Sequence, residues 1–185
     1  LAAYRADLHA IAAGTAPSAR WASVFVPLAP VLRQTQLPVP LLDDLLSAFA
    51  QDVRKTAAAA GYADRAELLD YCRRSANPVG RLLLHLYGVN SPEALQESDA
   101  ICTALQLINF WQDLSVDIPR GRFYLPDADC ATHGVQRADL LPLHSMPNTT
   151  ELIAASADWA RATMLKGAKL VHRLPGRAGW ELRLV

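Results

Sequence analysis

The sequence has little of what would indicate a disulfide framework, a zinc site, a membrane span or a nucleic-acid surface. Its three cysteines, Cys72, Cys102 and Cys130, are far apart and form no CxxC motif, which argues against disulfide frameworks and zinc sites. No stretch reaches the roughly 18 to 20 apolar residues of a membrane span. Because 18 Lys and Arg balance 18 Asp and Glu, binding of nucleic acid through counterion release is not expected. These absences predict a protein of a reducing, cytoplasmic compartment.

Apolar residues are plentiful, at 51% of the 185 residues, and they recur at intervals of three and four. Alternation with a period of two is almost absent, so the pattern predicts an all-α chain forming one domain over residues 1–185. The first helical pattern, Leu1 to Ile11, has no capping residue before it, and a last apolar pattern begins at Trp180 without completing a helix. We therefore expect a fragment of a longer chain or an incompletely ordered chain. The five histidines show no metal-ligand spacing and predict no site.

Proline and glycine separate the predicted helices. These are expected at about Leu1–Ile11, Ser18–Arg33, Leu41–Ala60, Ala66–Tyr87, Glu93–Asp117 and Thr149–Arg173, with a loop over Pro119–Val135. The segment Asn77-Pro78-Val79-Gly80 lies inside the fourth helix, where proline deletes one backbone hydrogen bond and glycine weakens the helix further. Two interpretations remain open: a kink that opens a cavity, or two helices that meet at this point.

One helix carries a polar stripe among apolar neighbours. At about 100° per residue, Gln106, Asn109, Asp113 and Asp117 fall within an arc of roughly 80°, while large apolar residues occupy most of the remaining surface. The stripe is expected to line a cavity. Two carboxylates in an apolar enclosure cost several kcal/mol each, on the order given for buried ions, unless positive charge meets them. A divalent cation or an arginine should therefore lie nearby.

Two explanations of this stripe remain open. Oxygen ligands without Cys or His suit a hard ion, and Mg²⁺ commonly takes one or two carboxylates and bridges to substrate phosphates. Alternatively, the stripe is a partly solvated seam between helices, paired to Arg120 and Arg122. The charged pairs Arg54-Lys55 and Arg73-Arg74 are interpreted as solvated faces, although either member of the second pair could reach a phosphate.

Two motifs resemble a known family. The pattern Gln106-x-x-Asn109-x-x-Gln112-Asp113-x-x-x-Asp117, followed by Gly121-Arg122-Phe123-Tyr124-Leu125-Pro126, is similar to the second aspartate-rich motif and trailing loop of squalene and phytoene synthases. The segment from Tyr71 to Gly80 resembles the Tyr…Ala-x-x-Val-Gly segment of the same family. Its Asn-Pro-Val-Gly form is similar to the bacterial hydroxysqualene synthases of hopanoid pathways.

The resemblance implies an α-helical isoprenoid synthase fold around a central cavity, and a Mg²⁺ cofactor held between two aspartate-rich motifs. Only the second motif is present, so the resemblance implies a domain without its first aspartate-rich segment and its last helices. Asp113 and Asp117 are then the metal ligands, with Gln106 and Asn109 at the metal's water shell and the diphosphate. Val116 and Gln112 depart from the common pattern, where an acid and an arginine are usual, which puts the number of ions in doubt.

The resemblance also implies further roles around the leaving group. Arg122 would contact the departing phosphate, and Tyr71 and Tyr124 would lend hydroxyls beside it. Asp52 is the matching acid on the third helix. An apolar wall would guide the carbocation, and for each of its members ordinary core packing is an alternative explanation; its candidates are Phe49, Leu83, Phe110 and Trp111.

The implied substrate is an isoprenoid diphosphate, either presqualene or farnesyl diphosphate, which is ionised to a C30 product with release of pyrophosphate. A phytoene-type condensation of longer prenyl chains is one alternative, and a helical binding module without turnover is another. A hydrophobic substrate could bring the protein to a membrane surface and into contact with other enzymes of its pathway.

Overall fold

The computed structural model describes residues 1–140 and 146–184, and over these residues the all-α prediction is confirmed, with no strand among them. His144 and Val185 lie outside the described part of the chain. The α-helices are α1 Ala2–Ala12, α2 Ala22–Thr35, α3 Val39–Ala57, α4 Arg65–Ser75, α5 Asn77–Leu86, α6 Pro92–Gln112, α7 Leu114–Asp117, α8 Asp127–Thr132, α9 Pro147–Lys166 and α10 Gly176–Glu181. Short 3₁₀ turns cover Ala19–Trp21, Ile118–Arg120, Arg137–Leu140, Ala168–His172 and Leu182–Leu184.

Helix α6 is the central element of the bundle. It begins where Ser91 caps it, because the Ser91 hydroxyl accepts a hydrogen bond from the Ala94 amide at 3.2 Å, and Pro92 supplies the first helical position. Such a cap contributes about 1 kcal/mol. The buried residues of α6 pack mainly against α9 and α5 and also against α4. This packing leaves the remaining face of α6 for the polar stripe.

Helices α1 and α2 pack on α3 and form a second core at the amino-terminal end of the chain. Its buried residues are Leu8, Ile11, Phe25, Leu32 and Leu46. This core holds α3 in position, and α3 carries Asp52 towards the rest of the bundle. Among the described residues, no helix combines the length and the apolar character needed to cross a bilayer.

The predicted fourth helix, Ala66–Tyr87, is two helices, α4 and α5, which meet at Ala76. Of the two interpretations left open, the meeting of two helices is therefore confirmed. Pro78 has no amide hydrogen, so it suits the first turn of α5 but would interrupt a continuous helix. Gly80 is buried against Ser98 and Cys102 of α6, where a side-chain carbon would overlap both. The glycine thus allows α5 to approach α6 closely.

Two other predicted boundaries were wrong. The helix predicted to end at Asp117 ends at Gln112, because Asp113 leaves the helical conformation at φ −95° and ψ 12°, and α7 resumes at Leu114. The segment Pro119–Val135, predicted as loop, contains α8. Turn residues around α8 hid it in the sequence, and tertiary hydrogen bonds hold it in place: the amides of Asp127 and Ala128 donate to the carbonyls of Tyr62 and Ala63.

Candidate active site

Four aromatic side chains from separate segments form a buried cluster. Phe110 of α6 stacks on Tyr124 with ring centroids 3.8 Å apart and ring planes within 5°. Tyr71 of α4 lies 6.0 Å from Phe110 and 6.4 Å from Tyr124, and Tyr62 lies 6.0 Å from Tyr124. Aromatic pairs of this kind contribute about 0.5–1.5 kcal/mol each beyond area burial. The cluster therefore joins α4, α6 and the segment after α7 into one unit.

The hydroxyl of Tyr124 donates a hydrogen bond to Oδ1 of Asp52 at 2.7 Å. The two residues are 72 positions apart, so the bond joins α3 to the segment that follows α7. A hydrogen bond to a charged group contributes about 1.5–3 kcal/mol. This bond brings together three residues that the sequence singled out separately: Asp52, Tyr124 and, through the aromatic stack, Phe110.

Burial keeps the phenols of the cluster protonated. Burial raises the pKa of Tyr71 to about 12, and the negative charge of Asp52 adds to the shift. The pKa of Tyr124 is raised by burial and by its hydrogen bond to Asp52, and the pKa of Tyr62 is raised mainly by burial. At neutral pH these hydroxyls are hydrogen-bond donors and not anions. Donors of this kind suit a site where negative charge grows on a substrate oxygen.

The raised pKa of Tyr71 predicts a loss of stability at high pH. An exposed tyrosine of the unfolded chain ionises near pH 10, whereas Tyr71 in the fold stays protonated until about pH 12. Its contribution is complete below about pH 10 and is lost as the pH rises towards about 12, because only the unfolded state ionises in this window. We expect the free energy of unfolding, measured by urea titration, to fall less steeply over this range in Tyr71→Phe. If the free energies of unfolding of the two proteins fell equally over this pH range, the raised pKa of Tyr71 would be contradicted.

Asp117 and Arg122 form a second polar unit beside the cluster. Asp117 is 8% exposed, and its Oδ1 lies 3.5 Å from Nη1 of Arg122. The chain reverses at Gly121, whose φ of 74° favours glycine, and the Arg122 amide then donates to the Asp117 carbonyl at 3.0 Å. Nε of Arg122 is buried without a hydrogen-bond partner among the described residues. The guanidinium therefore has one unsatisfied donor, and the protein encloses it.

One small cavity joins the two units. It is lined by Asp52, Lys55, Thr56, Ala60, Tyr62, Arg122, Phe123 and Tyr124. Five of these residues, including Lys55 and Tyr62, were not among the site residues predicted from the sequence. The interpretation of Lys55 as part of a solvated face was wrong: its side chain is 20% exposed, and Nζ donates to the Gly61 carbonyl at 2.5 Å and pairs with Glu67 at 2.7 Å. Lys55 lies three residues after Asp52, on the same face of α3, and this spacing could have indicated that the two side chains share a site.

Arg74 is also buried more than the sequence suggested. Its side chain is 13% exposed, and its guanidinium donates to Ser47 and Gln51 of α3 as well as to Asp70 on its own helix. These bonds hold α4 against α3 and thereby fix Tyr71 relative to Asp52. Arg73 is exposed and pairs only with Asp70 among the described residues, as expected of a solvated face.

The polar stripe is enclosed only in part. Asp117 is buried and Gln106 is half-buried, but Asn109 and Asp113 are exposed. The prediction that the whole stripe lines a cavity was therefore wrong for these two residues, because the helices packed on α6 cover its other faces. The break at Asp113 does not misalign the stripe: the Asp113 amide donates to the Asn109 carbonyl at 3.1 Å, and the Asp117 amide donates to the Asp113 carbonyl at 2.8 Å.

The predicted apolar wall divides in the same way. Phe110 is buried in the aromatic cluster, and Trp111 is half-buried against Trp159 of α9. Phe49 is 55% exposed and Leu83 is 52% exposed, so neither belongs to the core. Phe110 packs in the core, as the alternative explanation for the wall residues expected. Phe49 and Leu83 are free to contact a ligand.

The oxygen atoms of the stripe suit a Mg²⁺ ion that takes only some of its ligands from the protein. Within the described ranges, no group of three or more His, Cys, Asp or Glu side chains could hold a metal ion. Asp113 and Asp117 supply two carboxylates, and Gln106 and Asn109 supply neutral oxygens on the same face. Mg²⁺ is commonly bound by one or two carboxylates while water and substrate phosphates complete its shell. The residues therefore fit an ion that binds together with a diphosphate.

Comparisons with known proteins point to one family. The profile of the family described as squalene/phytoene synthase matches residues 1–185. A hydroxysqualene synthase from Rhodopseudomonas palustris is 39% identical over 144 residues, which are 77% of this chain and 48% of the relative. A phytoene synthase from Mycobacterium tuberculosis is 30% identical over 158 residues, which are 84% of this chain and 51% of the relative.

A solved structure agrees in fold as well as in sequence. The crystal structure of squalene synthase HpnC from Alicyclobacillus acidocaldarius superposes with a TM-score of 0.88 at 34% identity, covering 98% of this chain and 66% of that one. The chain spans about half the length of the curated relatives it matches. The superposition shows that α1 to α10 share the fold of the matching portion of that structure.

Proposed function

Because the chain belongs to the squalene/phytoene synthase family, we propose that the protein ionises presqualene diphosphate, releases pyrophosphate and forms hydroxysqualene. The observation that carries the proposal is that Arg122, the partner of Asp117, lines one small cavity together with the hydrogen-bonded pair Asp52 and Tyr124. The similarity to the hydroxysqualene synthases of Rhodopseudomonas palustris and Zymomonas mobilis, at 39% and 35% identity, supports the choice of substrate. The Asn77-Pro78-Val79-Gly80 segment supports it too.

In the proposed reaction the bond between carbon and the diphosphate oxygen breaks, and its electron pair leaves with pyrophosphate. The positive guanidinium of Arg122 binds the growing negative charge, and the protonated hydroxyl of Tyr71 donates to it. The one hydroxyl hydrogen of Tyr124 is donated to Asp52, so Tyr124 must exchange that bond to donate to the leaving group. The carbocation is then captured by water, which loses a proton and leaves an alcohol. No protein nucleophile is required. The protein's part is to hold the diphosphate, to donate hydrogen bonds and to enclose the cation in apolar surface.

Asp113 and Asp117 are proposed to hold Mg²⁺, with Gln106 and Asn109 beside its water shell and the diphosphate. When bound, Mg²⁺ supplies Lewis-acid stabilisation of the negative charge on the leaving group. Asp52 orients the Tyr124 hydroxyl, and Phe110 holds the Tyr124 ring in place. Phe49, exposed on α3 one turn before Asp52, is proposed to contact the prenyl chain.

A second candidate function is a phytoene-type condensation of longer prenyl diphosphates. The 30% identity to the phytoene synthase of Mycobacterium tuberculosis, over 84% of this chain, favours it. Both reactions release pyrophosphate and both need the same polar groups. They differ in the length of the chain that the apolar surface must accept, and so the substrate separates them.

We expect pyrophosphate release from presqualene diphosphate in the presence of Mg²⁺, loss of that release after chelation with EDTA, and recovery when Mg²⁺ is added back. Mass spectrometry of the product identifies a C30 alcohol if water captures the cation. Parallel incubations with farnesyl diphosphate and with a longer prenyl diphosphate test the alternatives. Release only from the longer substrate would favour the phytoene-type reaction, and no release from any of them would leave a binding module without turnover.

A further inference from the structure

Arg122 and Tyr124 both lie on residues 121–126, which we call the site loop. The loop follows the 3₁₀ turn Ile118–Arg120 and leads into α8. Its far end is fixed to the turn between α3 and α4, because the Asp127 amide donates to the Tyr62 carbonyl at 2.9 Å and the Ala128 amide donates to the Ala63 carbonyl at 3.0 Å. The position of Arg122 and Tyr124 therefore depends on how the loop is held against this turn.

Arg137 holds the loop and the turn together. Its Nε and Nη2 donate to Oδ1 of Asp127 at 3.0 Å and 2.9 Å, and Nη2 also donates to Oδ2 at 2.8 Å. Its Nη1 donates to the Ala59 carbonyl at 3.1 Å, across 78 positions of sequence. The guanidinium carbon lies 4.8 Å from the centroid of the Phe123 ring, between the two residues of interest. One side chain thus contacts both segments and the middle of the site loop.

Gly61 provides the space that this guanidinium occupies. A side-chain carbon at Gly61 would overlap Nη2 of Arg137 and would lie 3.0 Å from its Cζ. The backbone of Gly61 lies outside the left-handed region, unlike that of Gly121. An alanine at position 61 is therefore compatible with the backbone and conflicts chiefly with the arginine. Two residues far apart in sequence, Gly61 and Arg137, thus form one fitted contact.

We propose that Arg137 is a positioning residue, seated in the space left by Gly61, which holds the site loop so that Tyr124 reaches Asp52 and Arg122 reaches Asp117. This inference rests on the proposed function, because it assigns Arg137 to the same site. Arg137 itself contacts neither Asp52 nor Asp117 in the hydrogen bonds and ion pairs of the described residues. Its effect is transmitted through Phe123 and Asp127. Such an effect should appear in turnover more than in substrate binding.

The test compares the wild type with Arg137→Ala, Gly61→Ala and the double variant. A displacement of catalytic groups by about 1 Å can lower the rate by up to about 10²-fold, so we expect Arg137→Ala to lower kcat by about 10-fold or more. KM should change by less than about threefold. Gly61→Ala should lower kcat in the wild-type background but by less than about twofold when Arg137 is absent, since the two changes then disturb one contact.

Two further variants separate positioning from general loss of stability. Arg137→Lys should be about as slow as Arg137→Ala, because an ammonium group cannot bridge Asp127 and the Ala59 carbonyl as the planar guanidinium does. Arg173→Ala is the matched control: Arg173 makes a similar two-armed ion pair, with Glu97, and is 37% exposed where Arg137 is 35% exposed. It should lower the melting temperature and leave kcat within about twofold.

Any of three outcomes would overturn the proposal. These are an unchanged kcat in Arg137→Ala, effects on kcat that multiply in the double variant, and a loss of kcat in Arg173→Ala equal to that in Arg137→Ala. Amide hydrogen exchange provides a readout that does not need activity: exchange at Asp127 and Ala128 should accelerate in Arg137→Ala and in Gly61→Ala. If the wild type releases no pyrophosphate from any diphosphate, the proposed function fails. The exchange rates then still decide whether Arg137 and Gly61 hold the loop, and unchanged rates would show that they do not.

Discussion

Replacing Asp117 with asparagine is expected to lower the rate of pyrophosphate release by about 10²- to 10³-fold, the scale of losing one electrostatic group of an active site, because Asp117 is proposed to hold the Mg²⁺ that stabilises the leaving group. The change keeps the shape of the side chain and removes its charge. Asp117 is the buried member of the acidic pair and lies beside Arg122, so its loss affects both the proposed metal ligand set and the partner of the guanidinium. Pyrophosphate release at saturating substrate is the measurement.

The exposed member of the pair allows a comparison. Asp113→Ala is expected to remove most of the activity as well, and part of the loss should be recovered at higher Mg²⁺ concentration, because a weakened site still fills by mass action. Glu151→Gln, an exposed acid on α9, is the control for loss of one negative charge and should leave the rate unchanged. A rate in Asp117→Asn equal to that of the wild type would refute the catalytic assignment of this face.

Phe110→Ala is expected to lower the free energy of unfolding by about 3–5 kcal/mol, the usual cost of a large aromatic truncation in a core. Phe110 is 4% exposed and stacks on Tyr124 at 3.8 Å, so truncation leaves a cavity and removes the ring that positions the Tyr124 hydroxyl. Turnover of the folded fraction should fall with it. Urea unfolding measures the first effect, and the rate per folded molecule measures the second.

Phe49→Ala is the matched control, since the same side chain is removed from a position that is 55% exposed. Its free energy of unfolding should change by less than about 1 kcal/mol, as is usual for surface substitutions. If Phe49 contacts the prenyl chain as proposed, KM should rise without loss of stability. If both variants lost the same free energy of unfolding, the difference in burial between Phe110 and Phe49 would be contradicted.

Much of the fold was predictable because helices leave a local signature. Apolar spacing, the Ser91 cap and the glycine and proline positions are all features of nearby residues, and they located most of the helices to within a few positions. The break at Asp113 and helix α8 were both missed, and for α8 the cause is not local. Helix α8 is held by amide hydrogen bonds to residues 62 and 63, more than 60 positions away, which no spacing of apolar residues records.

The candidate site was predictable as a set of residues but not as a geometry. Asp52, Tyr71, Phe110, Arg122 and Tyr124 were named from their types and their motifs, and the structure brings them into one region. Their contacts could not be predicted, since each joins segments that are separate in the chain. The burial of Lys55 and the participation of Tyr62 were missed for the same reason.

By itself the sequence determined an all-α chain, the family, and the acidic and aromatic residues available for a diphosphate site, because residue type and helical period are properties of the chain alone. Tertiary structure decided which of these residues are enclosed. Asp117 is buried while Asp113 is exposed, and Phe110 is buried while Phe49 is not, because burial depends on which helices pack against a given face. It also decided that Arg137 and Gly61 meet, a contact made possible only by the folding of two distant segments onto one turn.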